Sequence, residues 1–308
     1  FFVALAVGTT CQAKDVKITS PNGKIAVTVS DNGGSLSYST ALDGKTLFTQ
    51  NALAVKLEKK TLGAKAKING VSKKAVKEVL KPVVPVKQST INNDYTQATL
   101  TMKDNYKVEF RVFDNAVAYR FILNEKDSVN VVEETFNLKP TEEMAVHFQP
   151  TSGWGTSSES PYVNCMLKEW QHNHDMSVLP MALSSTKEDL HLLISESDLR
   201  DYSGMFIRGN GEKSCLSGVL VPNYKKWELE WDRGTKVNEY ADYAARIAGK
   251  RSLPWRYVVI ADAKGILEQT LTAQLAGKCE LDDTSWIKPG QVSWDWWNHK
   301  SLYGPDVN

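Results

Sequence analysis

The amino-acid sequence predicts a mainly β fold, and three observations carry that expectation. Apolar and polar residues alternate over short runs from Lys14 to Ile260. Asn, Asp, Gly and Pro punctuate those runs where turns are needed. A helical period appears once, late in the chain, at Ile266, Leu267, Leu271 and Leu275. At 308 residues the chain is long enough for one large β domain or two smaller ones around a sizeable core.

Composition narrows the partners. Lys and Arg number 37 against 36 Asp and Glu, so neither nucleic acid nor an anionic membrane is indicated, and a neutral substrate is expected. Residues Phe1 to Ala13 (FFVALAVGTTCQA) read as the tail of a secretory signal peptide, with Cys-Gln-Ala as the cleavage site before Lys14. A buried N-terminal strand is the competing reading. Gly8-Thr9-Thr10-Cys11 is a poor lipid-attachment pattern, so plain export to a periplasm or cell surface is expected. No other segment approaches the run of about eighteen apolar residues that a membrane span requires. Cleavage after Ala13 leaves Cys165, Cys215 and Cys279, without a C-x-x-C pair. That scattered set argues against a zinc site and against a disulfide-stapled fold, while one bridge plus a free thiol stays open.

From Lys14 the chain reads as a meander. Ile25, Val27 and Val29 alternate, Asp31-Asn32-Gly33-Gly34 turns, and Leu36 and Tyr38 resume; Leu42-Asp43-Gly44-Lys45 makes the next turn. Lys56 to Lys87 predicts solvated strands and loops with Asn69-Gly70 as a tight turn. The cleanest hairpin is Tyr106 to Leu123, with Tyr106, Val108, Phe110 and Val112 on one face, a turn at Asp114-Asn115-Ala116, and Val117, Tyr119, Phe121 and Leu123 continuing that face. Arg111 and Arg120 in these strands read as surface cross-strand charges or, alternatively, as a carboxylate clamp.

Thr151 to Ser160 is a Gly and Ser-rich loop around Trp154, able to cover a cleft or merely to connect strands. His172-Asn173-His174-Asp175 lacks a third metal ligand at useful spacing. Leu190 to Ile194 predicts a buried strand, with Glu196 and Asp198 past its end on one side. Hard carboxylates there suit Ca2+, which takes about six to eight oxygens; two solvated loop acids are the alternative. Short strands follow at Leu216 to Val221, Trp227 to Trp231 and Trp255 to Ile260. One amphipathic helix comes next, capped by Asp262 and stopped by Gly277. Last comes Ser285 to Asn298 (SWIKPGQVSWDWWN). Its Asp295, Trp296, Trp297 and Asn298 combine flat indoles with fixed polar groups, a pattern for holding a sugar, or a Trp cluster in a core. The run follows a helix and a Pro-Gly break and ends where a strand of a (β/α)8 barrel would end. No phosphate loop, G-x-S-x-G elbow or HExxH helix is present.

The order of these motifs resembles glycoside hydrolase family 97, the α-glucosidases and α-galactosidases of polysaccharide-degrading bacteria. The residues that carry the likeness are Ser20-Pro21-Asn22-Gly23-Lys24, Phe110-Arg111-Val112-Phe113-Asp114, Tyr119-Arg120-Phe121, Ile194 to Leu199, Asp201-Tyr202, Pro254-Trp255-Arg256, Ser285 to Pro289 and Trp294 to Asn298. The resemblance implies a large N-terminal β-sandwich of the galactose-mutarotase type over residues 14–261, a helical linker over 262–284 and the start of a catalytic barrel over 285–308, cut off after its first strand. It also implies that Glu196 reaches a catalytic Ca2+, and that neither catalytic carboxylate lies in this chain. The WDWWN form is similar to that of the retaining α-galactosidase-like branch. An oligo- or polysaccharide substrate follows, and a non-catalytic carbohydrate-binding sandwich is the alternative.

Overall fold

The computed structural model describes residues 15–156, 158–170, 176–209, 214–230 and 234–292. They form a β-sandwich of two large antiparallel sheets, of nine and ten strands, with a four-stranded and a two-stranded sheet beside them. The first sheet opens with the meander Asp15–Thr19, Ile25–Ser30, Ser37–Leu42 and Lys45–Gln50. Ten strands make the second sheet, which runs from its centre to one rim as His191–Ser197, Trp255–Ala261, Ala116–Asn124, Lys107–Phe113, Ile91–Met102 and the edge strand Ile68–Leu80. One continuous apolar core fills the space between the two sheets, joining Ile25, Val27 and Val29 to Val108, Phe110 and Val112. Tyr38 of the first sheet crosses to Phe110 and Tyr119 of the second at centroid distances of 5.3 and 5.7 Å. Both contacts are edge-on, an arrangement that aromatic quadrupoles favour.

The hairpin Lys107–Phe113 with Ala116–Asn124 has the expected inner face, with Val112 opposite Val117, Phe110 opposite Tyr119 and Val108 opposite Phe121. Its turn is tighter than expected, because Ala116 already pairs with Phe113. The outer face is buried as well: Phe113, Ala116, Ala118, Trp255 and Tyr257 pack beneath Leu271 and Leu275. The sheet centre therefore has no solvent face, as in sheets covered on both sides.

Three local expectations are corrected. Asn69-Gly70 does not turn; it lies inside the thirteen-residue strand Ile68–Leu80, at a bulge between Ile68 and Gly70. Twelve residues of pairing with Ile91–Met102 outweigh the local turn preference there. The single helix is two, α1 (Ala263–Glu268) and α2 (Leu271–Leu275). Asp262 caps α1 as expected, its side chain accepting from the Gly265 N–H at 2.7 Å. The helix ends early because Lys87 Nζ takes the carbonyls of Leu267 and Gln269, while Leu271 N–H donates to the Gln269 side chain at 2.9 Å. Leu271 and Leu275 are buried against the sheet and Ile266 packs beside them partly buried, whereas Leu267 is exposed. Finally, the strand expected to stop at Ile194 runs on to Ser197. No described helix is long and apolar enough to cross a membrane. Residues 277–292 form neither strand nor helix, and Trp286 is exposed.

Candidate functional site

Alternation along Trp255–Ala261 sends Trp255, Tyr257 and Val259 toward the helices, and Arg256, Val258 and Ile260 toward the inter-sheet core. Arg256 is thereby a cation only 1% exposed, facing inward. Glu196 stands opposite it in register on the neighbouring strand. Glu134, 3% exposed, arrives from the strand Val129–Thr135, just after a bulge between Val131 and Glu133.

The three side chains form one buried ion network. Arg256 donates through Nε to Glu134 Oε1 at 2.8 Å, through Nη2 to Glu134 Oε2 at 2.7 Å, and through Nη1 to Glu196 Oε2. Tyr202 O–H adds a bond to Glu134 Oε2 at 2.9 Å, and Met205 N–H donates to Glu196 Oε1 at 3.3 Å. Burial pushes the Glu196 carboxyl above its ordinary range, with the Arg256 charge opposing that rise. Burial by itself favours neutral Arg256, but Glu134 and Glu196 hold it firmly charged. Two acids share one base here, in a medium where each unpaired charge is costly.

This geometry bears on the calcium expectation. Both oxygens of Glu196 are taken by protein donors, and its nearest charge is a guanidinium. No group of three or more His, Cys, Asp or Glu among the described residues could hold a metal ion. Each Glu196 oxygen accepts one donor and keeps further acceptor capacity, while the roughly six to eight oxygens that Ca2+ takes are not gathered around it among the described residues. Asp198 is also not on the side of Glu196. Its φ of +60° breaks the strand alternation, and its carboxylate meets Arg200 at 3.2 Å and Arg120 at 3.9 Å.

Around Asp198 lies a second charged layer, on the outer face. The guanidinium groups of Arg111 and Arg120 sit 4.6 and 4.2 Å from the Trp255 ring centroid, and Arg120 pairs with Glu109 at 3.4 Å. Arg111 and Arg120 are only 18% and 16% exposed in their side chains, so the expectation of solvated surface charges is corrected. Arg120 stands directly opposite Glu109 across the strand pair.

Other expected residues fall elsewhere. The Thr151 to Ser160 loop is pinned where Gln149 Nε2 donates to the carbonyls of Ser158 and Ser160, each at 2.7 Å, and Trp154 meets Phe206 edge-on at 5.5 Å. Asp295, Trp296, Trp297 and Asn298 lie outside the described residues, as does His172 to Asp175. Cys165 and Cys279 are free thiols. Glu134 and Arg256 were not singled out as site residues from sequence. The available signal was an Arg inside the apolar run Leu253 to Ala261, in phase with Val258 and Ile260.

The sandwich that builds this network matches the description of the glycosyl-hydrolase 97 N-terminal domain over residues 18–277. The chain belongs to glycoside hydrolase family 97. The match runs through both sheets and both helices of the family 97 domain. Curated relatives include a retaining alpha-galactosidase of Bacteroides thetaiotaomicron, 29% identical over 95% of this chain and 46% of the relative. A probable retaining alpha-galactosidase of Streptomyces bingchenggensis is 26% identical over 85% of this chain and 38% of the relative. The chain thus spans about half or less of the length of the curated relatives it matches. Among solved structures, a family 97 enzyme from Pseudoalteromonas sp. strain K8, in complex with acarbose, has a TM-score of 0.72 at 21% identity, covering 89% of this chain and 40% of that one. A beta-arabinopyranosidase gives a TM-score of 0.67 at 22% identity, over 81% and 40%. These likenesses confirm the β-sandwich.

Proposed function

We propose that this chain is the sandwich-bearing N-terminal part of an exported, calcium-dependent α-glycosidase of the retaining α-galactosidase type. The family match over residues 18–277 carries the reading, and the names of the two curated relatives favour the galactosidase branch. Export rests on the apolar stretch Phe1 to Ala13, and calcium dependence on the family resemblance alone. Hydrolysis of an α-glycosidic bond needs one carboxyl group to protonate the leaving oxygen and a second to attack the sugar. We assign neither role within this chain. Glu196 and Glu134, both committed to Arg256, act as positioning anions: they fix the His191–Ser197 and Trp255–Ala261 strands against the Val129–Thr135 strand.

The test compares the 308-residue chain with the complete reading frame on 4-nitrophenyl α-galactoside and α-glucoside. Turnover by the complete protein, preferring the galactoside and lost with a chelator, is expected, together with no turnover by this chain alone. Sugar binding without turnover by either would replace the hydrolase with a carbohydrate-binding sandwich.

A further inference from the structure

An open cleft of about 420 Å3 lies beside the buried ion network, between the Asp201 to Gly204 loop, the Val221 to Tyr224 turn and the start of the strand Ala245–Ile247. Its walls are tied together by main-chain and hydroxyl bonds. Ser203 Oγ donates to the Val221 carbonyl at 2.8 Å, Val221 N–H to the Gly204 carbonyl at 3.4 Å, and Asn223 N–H to the Tyr243 carbonyl at 2.9 Å. Tyr202 both lines the cleft and bonds Glu134, which couples one wall to the network behind it. The cleft is therefore formed in advance of any ligand, which lowers the ordering cost of binding.

Tyr202 and Ser203 are held by these bonds, whereas other polar side chains of the cleft are not. Among the described residues, neither the Asn223 amide nor the Arg246 guanidinium has a hydrogen-bond or ion-pair partner, and Asp201 approaches only Arg251, at 4.0 Å. Asp201 is held at a φ of +45°, a left-handed conformation that a non-Gly residue adopts at some cost. Tyr224 contributes a half-exposed ring, braced edge-on by Tyr240 at 6.1 Å. A carboxylate, a guanidinium and an amide supply donors and acceptors of both kinds with no net charge, and an aromatic face completes the set. An anion would meet Asp201 and a cation would meet Arg246. A neutral polyhydroxy ligand satisfies all four groups.

We infer that this cleft is a carbohydrate-binding subsite of the sandwich itself, taking a neutral α-linked oligosaccharide through Asp201, Asn223 and Arg246 with Tyr224 against a sugar face. Its ligand class rests on the glycosidase reading above. The experiment titrates the 308-residue chain with raffinose, maltotriose and inorganic phosphate by calorimetry, with circular dichroism to show that each variant is folded. Saturable binding of raffinose or maltotriose is expected, weakened about fivefold to tenfold by Asn223→Ala or Arg246→Ala. Tyr224→Ala is expected to weaken it at least as much, and Tyr162→Ala, at an exposed tyrosine elsewhere, to leave it unchanged. Absence of sugar binding, binding of phosphate alone, or sugar binding indifferent to all three cleft variants would overturn the proposal. Hydrolysis by the complete protein without sugar binding by this chain would remove the cleft alone. Binding without hydrolysis would remove only the glycosidase reading.

Discussion

Replacing Arg256 with Met tests the buried network most directly. Met fills much of the aliphatic volume but leaves Glu134 and Glu196, 3% and 15% exposed in their side chains, facing each other without a cation. Arg256 makes three charge-assisted hydrogen bonds to these acids. Adding them at about 1.5–3 kcal/mol each would overstate the loss, since removing the guanidinium also removes its own desolvation cost. Breaking one side of a buried ion pair typically costs about 3–5 kcal/mol, and that range is the expectation here. For a domain of this size the melting temperature should then fall by roughly 6–15 °C. Acidity should soften the effect. Loss of the Arg256 charge removes the main influence opposing the burial-driven rise of the Glu196 carboxyl. A carboxyl whose pKa is raised on folding binds more protons folded than unfolded, so its contribution to stability declines as pH rises from the ordinary value through the raised one. The deficit of the variant should therefore be largest near neutral pH and shrink on acidification. Thermal unfolding of both proteins between pH 5 and 8 reads this out. A cost near zero, or a deficit that grows toward acid, would refute the account of the network.

Further expectations concern single residues. Trp255→Ala should cost about 3–5 kcal/mol, because a fully buried indole between two guanidiniums and the α2 leucines leaves a cavity that cannot close; a cycle with Arg120→Met should show about 0.5–2 kcal/mol of coupling by denaturant unfolding. Gly63 has a φ of +85°, and an added Cβ would fall 1.9 Å from the Leu53 carbonyl oxygen. Gly63→Ala should cost about 3 kcal/mol or more, whereas Gly23→Ala, with a φ of +76° and open space around it, should cost about 1 kcal/mol. Asp262→Ala should lose about 1 kcal/mol by removing the cap of α1, as measured by the shift in urea midpoint.

Local patterning made much of the sandwich readable in advance. Val108, Phe110 and Val112 alternate cleanly because one side of their strand is core, and the inner face of the hairpin followed from that alone, although its shorter turn did not. The outer cover of the same sheet was hidden, since Trp255 to Ala261 is buried on both faces and its apolar run has no period to show which side Arg256 takes. The helix break was unreadable for another reason: Lys87, which takes the α1 carbonyl groups, lies 182 positions before Gln269. Glu196 stood out as an acid at a strand end, but its strand continued and its partners Glu134 and Arg256 came from distant segments. Backbone geometry, not composition, separated it from Asp198.

The Ile68–Leu80 strand closes one rim of the ten-stranded sheet, so its outer peptide groups have no neighbour within that sheet. Lys73, Lys74 and Lys77 line this exposed rim, while the opposite rim, Val163–Met166, is only four residues long. A second molecule zipping onto the long rim would crowd like ammonium groups against one another, and the short rim gives too little purchase to start. Both rims of this sheet thus carry features that oppose edge-to-edge pairing with another copy.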